Sequence, residues 1–141
     1  MTKNTKRRIE NFTIPTPIKL SFLWASLMSL YIYNDYFLLF IPGTIDGMSA
    51  GSMGPLGEVT DLKMIIVAAI LAIPASMVFL SSTLSSSFSR WLNLPVGLVY
   101  LVIAVLTLYG SPPFYKLIVV IEIAAILLII WYAARWPKQS A

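Results

Sequence analysis

The chain contains no cysteine and no histidine. Thiolate metal sites, cysteine nucleophiles, imidazole ligands, histidine-held haem and histidine-based triads are therefore excluded within it. Charge is scarce too. Asp, Glu, Lys and Arg together make up 11% of the 141 residues, against about 25% in an ordinary soluble domain. Proton chemistry would have to run on Asp, Glu, Tyr or Lys. No motif supplies a recognisable nucleophile or metal-ligand set, so no catalytic residue, metal or cofactor is expected.

What is abundant is hydrocarbon. Apolar residues reach 58% of the chain, and the mean hydropathy is +0.82. They are blocked into long runs of the kind a bilayer span requires. These predict helices over about 18–41, 62–84, 95–109 and 115–135. The expected architecture is all-α: an up-down bundle of four transmembrane helices over residues 17–136, with a polar basic tail at 1–16 and a short tail at 137–141. Pro15 and Pro17 separate the first helix from its tail. Its apolar run is too long for a cleaved signal peptide and lacks a following small-x-small site, so an uncleaved span is expected. Pro74 predicts a kink in the second helix, with Ser76 near enough to satisfy a freed carbonyl. Residues 85–94 (SSSFSRWLNL) read as a polar turn, and Pro95 as a first-turn residue of the third helix.

Half of the ten basic residues fall in the first nineteen positions. This makes the basic character a topogenic signal rather than a nucleic-acid surface. Lys3, Lys6, Arg7, Arg8, Lys19, Arg90, Arg135 and Lys138 would share one side, and Lys63 and Lys116 the other. The asymmetry places both termini in the cytosol.

The segment 42–61 has neither Lys nor Arg and holds five of the seven glycines. Gly43, Gly47 and Gly51 repeat every four residues, as in the small-residue packing motif of membrane helices. A flexible outer loop and a short interfacial helix forming a packed lid are the two readings.

The costliest residues in this pattern are the carboxyls inside the apolar runs. Asp35 stands six residues before Ile41, and Glu122 seven after Tyr115. At 1.5 Å per residue both lie roughly 10 Å inside the outer surface. In an up-down bundle the first and last helices are neighbours, so the two acids are expected to face each other and share a proton. Helical spacing puts Ser21, Trp24, Met28, Tyr31 and Asp35 on one stripe. Tyr100 and Thr107 share a face of the third helix. The candidate intramembrane polar site is thus Asp35, Glu122, Asn34, Tyr31, Tyr100 and Thr107, with Asn34 turned toward a different neighbour. One reading gives it proton or cation handling; the other makes the acids structural ties between helices.

The segments LSFLWASLMSLYIYNDYF, IPGTIDGM, MGPLGEVT, RWLNLPVGLVY and IEIAAILLIIWYAARWP resemble a family of small four-helix bacterial membrane proteins classed as a domain of unknown function. The resemblance spans nearly everything after residue 16. It implies the four-helix architecture and a multi-pass place in the bacterial plasma membrane, and it implies no activity. The function classes in view are a proton- or cation-coupled transporter or channel component using the carboxyl pair, and a non-catalytic protein that binds a lipid-like ligand or serves as an accessory subunit of a membrane complex. An enzyme is the least expected. Four short helices leave little room for a pathway. A homodimer or a membrane partner is therefore the expected company, beside the lipid bilayer and with no nucleic acid.

Topology is directly testable because the chain is free of cysteine. Single cysteines at Ser49 or Ser111 should label from outside, and those at Ser86 or Ser140 only from inside. External labelling at Ser86 would overturn the four-span arrangement.

Overall fold

The computed structural model describes residues 12–137. Lys3, Lys6, Arg7, Arg8 and Lys138 of the two tails lie outside these residues. Four long helices and one short one make up the fold: α1 (Thr16–Leu38), α2 (Thr44–Ser49), α3 (Asp61–Thr83), α4 (Ser86–Thr107) and α5 (Pro113–Ala134), with a 3-10 turn at Gly54–Leu56. α1 packs against α3 and α5, and α4 packs against α5 and more lightly against α3. Leu20, Trp24, Leu27, Met77, Val119, Ile126 and Ile129 form the centre of the core.

The outside is as apolar as the inside. Phe22, Ile65, Leu106 and Leu117 are all more than 60% exposed. A continuous coat of this kind is suited to hydrocarbon rather than water. Three helices, α3, α4 and α5, are long and apolar enough to cross a membrane. α1 has the length, 23 residues, but Lys19, Asn34 and Asp35 interrupt its apolar run.

α1 ends at Leu38 rather than Ile41, because the chain turns through Pro42 and through Gly43, whose left-handed backbone (φ 83°) starts α2. The larger correction is at α4. It begins at Ser86 instead of Pro95, so the expected polar turn at 85–94 is helix and only Leu84 and Ser85 link α3 to α4. Pro95 is an interior residue. Two of the polar residues there turn inward, while Ser85, Ser86 and Ser87 are exposed. Ser89 and Asn93 are fully buried, while Phe88 and Trp91 face out. Trp24 Nε1 donates to Asn93 Oδ1 at 2.7 Å, and Ser81 Oγ donates to the same oxygen at 3.2 Å. Asn93 Nδ2 donates to the Ser89 carbonyl at 2.8 Å, and Ser89 Oγ to the Ser81 carbonyl at 2.9 Å. One amide thus joins α1, α3 and α4. A run that reads as a loop by polarity can be helical here because Ser89 and Asn93 are paired inside.

Pro74 lies buried within α3. It cannot donate to the carbonyl four residues back, that of Ile70. Ser76 does not repair this, since its hydroxyl donates to the Ala72 carbonyl. The repair comes from α4, where the Tyr100 hydroxyl donates to the Ile70 carbonyl. The Tyr100 ring meets Trp24 edge-on, with centroids 6.0 Å apart. The tightest glycine in the fold is Gly97, where an added Cβ would come within 2.9 Å of Ile130 Cγ1. α4 and α5 therefore approach closely at that point.

Tyr100→Phe should lower stability by about 1 kcal/mol by orphaning the Ile70 carbonyl. In a Pro74→Ala background that cost should largely vanish, because the restored backbone N–H at position 74 takes the carbonyl. A double-mutant cycle read by thermal or denaturant unfolding checks this; equal costs in both backgrounds would refute it.

Candidate functional site

On the α2 side of the helices, a cavity of about 140 Å³ opens between α1, α3, α4 and α5. All six residues of the expected polar site line it: Tyr31, Asn34 and Asp35 from α1, Tyr100 and Thr107 from α4, and Glu122 from α5. The walls are completed by residues that sequence reasoning left out of the site, chiefly Tyr115 and the apolar Ile70, Leu71 and Ile103. Tyr115 stands seven residues before Glu122 on one face of α5, which was a readable signal. Ile70 and Leu71 come from α3, and nothing in their local sequence separates them from other apolar residues of that helix.

The roles within the set differ from expectation. The buried face of α1 runs through Leu20, Trp24, Leu27 and Asn34, one position round from the expected stripe that ended on Asp35. Asn34 consequently points inward and is 2% exposed, as is Glu122. Asn34 Nδ2 donates to Glu122 Oε1 at 3.4 Å. The hydrogen-bond partner of Glu122 is therefore the amide, while Asp35 lines the cavity from its exposed rim. The rotation follows from packing. The large side chains of Leu20, Trp24 and Leu27 must enter the core together, and residue 34 falls seven positions after Leu27, two helical turns on the same face.

Two members are committed elsewhere. The Tyr100 hydroxyl donates its hydrogen bond to the Ile70 carbonyl, and Thr107 Oγ1 donates to the Ala104 carbonyl at 2.8 Å. Asn34 is different. Its Oδ1 is buried and accepts no hydrogen bond from the described residues. Among the described residues, no Lys or Arg lines the cavity. The site thus offers two carboxyls and three tyrosine side chains, with no basic side chain among the described residues.

The candidate lid has a different construction from the expected one. Gly47 lies within α2, and Gly43 and Gly51 flank it with positive φ of 83° and 79°. A Cβ built on any of the three meets nothing within 4 Å. The four-residue glycine spacing therefore reflects the backbone of two turns and not close packing of a lid. The segment is braced from below by Lys63, whose Nζ donates to the carbonyls of Leu56 and Glu58 at 2.8 Å each.

Asn34→Leu should destabilise the fold by roughly 1–3 kcal/mol, because Glu122 is left buried without a partner. Asn34→Leu combined with Glu122→Leu should recover most of that loss, since both polar groups are then removed. Unfolding of the single and double variants in detergent checks this; a double variant no better than Asn34→Leu alone would show the pair to be uncoupled.

No curated protein and no solved structure matches the chain. Residues 12–141 match the family described as Family of unknown function (DUF6326). The match covers all the helices and the whole lining of the cavity, and on that extent the chain belongs to this family of unknown function.

Proposed function

We propose that this chain is an integral membrane protein that crosses the bilayer four times, and that its polar cavity handles protons or small cations. The first step concerns α1. It is wedged between α3 and α5, with Trp24 and Leu27 fully buried and Phe22 and Ile32 63% exposed. A helix held between two membrane-length neighbours shares their surroundings, and Lys19 at its first turn can reach the interface. Its positive charge lies 5.1 Å from the Tyr132 ring centroid at the end of α5. The basic residues of the chain then favour termini on the cytosolic side.

The observation that carries the functional reading is the convergence of Asp35 and Glu122 on one cavity that no basic side chain of the described residues enters. The structural polar groups around Asn93 are paired closely. The carboxyl of Glu122 has one long bond and borders open space. Carboxyls placed this way in membrane proteins serve as stations for protons or cations. Asp35 at the rim would exchange with the outer side, and Glu122 would hold the charge deeper between the helices. A second copy of the chain is the partner we propose for completing a path across the inner half.

Reconstituted into proteoliposomes, the chain should carry a proton or monovalent-cation flux. Asp35→Asn or Glu122→Gln should lower that flux by about tenfold or more, the factor equivalent to losing ~1.4 kcal/mol of charge stabilisation. Flux that is absent from the wild type, or unchanged from it in both variants, would dismiss the coupling role.

A further inference from the structure

Asp35 borders two spaces. It lines the polar cavity, and it also lines a groove of about 840 Å³ on the α2 side of the molecule. The groove lies between the end of α1, helix α2, the 3-10 turn and the start of α3. Its walls are largely apolar, with Ile32, Leu39, Met48, Val59 and Met64 among them. Neither lining contains Lys or Arg among the described residues. The adjoining segment bears Asp46, Glu58 and Asp61, while Lys63 is turned onto the carbonyls of Leu56 and Glu58.

Three features restrict what fits. The inner cavity is larger than a bare ion requires, since about 150 Å³ of space can take a group the size of benzene. Among the described residues, no three acids come together as a metal site. Glu122 accepts a single long bond, 3.4 Å from Asn34 Nδ2, which leaves its carboxyl free to take a further N–H or O–H donor. The carboxyls call for a positive charge, and Tyr31, Tyr100 and Tyr115 in the lining add rings that can attract an ammonium. The groove then offers an apolar space that begins at Asp35.

Resting on the carboxyl site described above, we propose that the ligand class is an amphipathic protonated amine. Its ammonium sits between Asp35 and Glu122, and its hydrocarbon tail lies in the groove under α2. A proton and such an amine would then compete for the same carboxyls, which is the basis for exchange of one for the other.

The test uses the full chain in lipid nanodiscs, with empty nanodiscs subtracted. Three probes are titrated by calorimetry: decylamine, propylamine and decyl sulfate. Decylamine should bind saturably, one per chain, and about tenfold or more tighter than either of the others. Asp35→Asn, an exposed and isosteric change, should weaken decylamine by a similar factor. Gly47→Leu should narrow the advantage of decylamine over propylamine, because the new side chain has room to enter the groove without a clash. Non-saturable uptake, equal binding of decyl sulfate, or decylamine binding unchanged by Asp35→Asn would each overturn the proposal. An Asp35-dependent proton flux without saturable decylamine binding would overturn the ligand class alone and leave the coupling role standing. Asp35-dependent decylamine binding in a chain that carries no flux would uphold the ligand class and remove the coupling role.

Discussion

Asn93 joins three helices through a single amide. Its oxygen takes the Trp24 indole and the Ser81 hydroxyl, and its nitrogen serves Ser89. Each of these atoms would cost several kcal/mol if buried without a partner, so α1, α3 and α4 are held to the arrangement in which all of them are paired. The constraint extends along the core. The Trp24 ring packs on Tyr100, and the Tyr100 hydroxyl reaches the carbonyl that Pro74 leaves free on α3. The polar cavity is built on helices already positioned in this way.

The two polar regions of the core differ in how well they are satisfied. Around Asn93 the amide uses both its oxygen and its nitrogen in short bonds. Beside the cavity, Asn34 and Glu122 share one bond of 3.4 Å from the amide nitrogen, and the amide oxygen accepts nothing from the described residues. Scaffolding polar groups are expected to be saturated. Polar groups left open beside a cavity are the ones available to a ligand. This contrast, rather than the mere presence of acids in apolar helices, separates the candidate site from the structural ties.

The glycines show a similar division. Gly97 is small because Ile130 of α5 is pressed against it. Gly43 and Gly51 are there for their positive φ, at either end of α2. Gly47 has open space beside it and faces the apolar groove. Spacing in the sequence does not distinguish these three reasons for a glycine, because one concerns a neighbouring helix, one the local backbone and one an unfilled volume.

Hydrophobic run length by itself determined that the chain is all-α with membrane-length helices, since a span needs a given number of apolar residues wherever its neighbours lie. That Asp35 and Glu122 stand at a common level of their helices was also readable, because rise along a helix is local geometry, and both line one cavity. So was the grouping of the polar site, all six members of which line one cavity. Rotation about the α1 axis was not readable. Asn34 and Asp35 are adjacent, and which of them enters the core depends on how Leu20, Trp24 and Leu27 pack against α3 and α5. The start of α4 was hidden for a related reason. Ser89 and Asn93 resemble loop residues until Ser81 and Trp24, distant in sequence, supply their partners. The groove beside Asp35 was equally invisible, for it exists only where α2 and the 3-10 turn are laid over the ends of α1 and α3. Local periodicity sets which segments are helices, and only their packing decides which polar atoms are paired and which are left to meet a ligand.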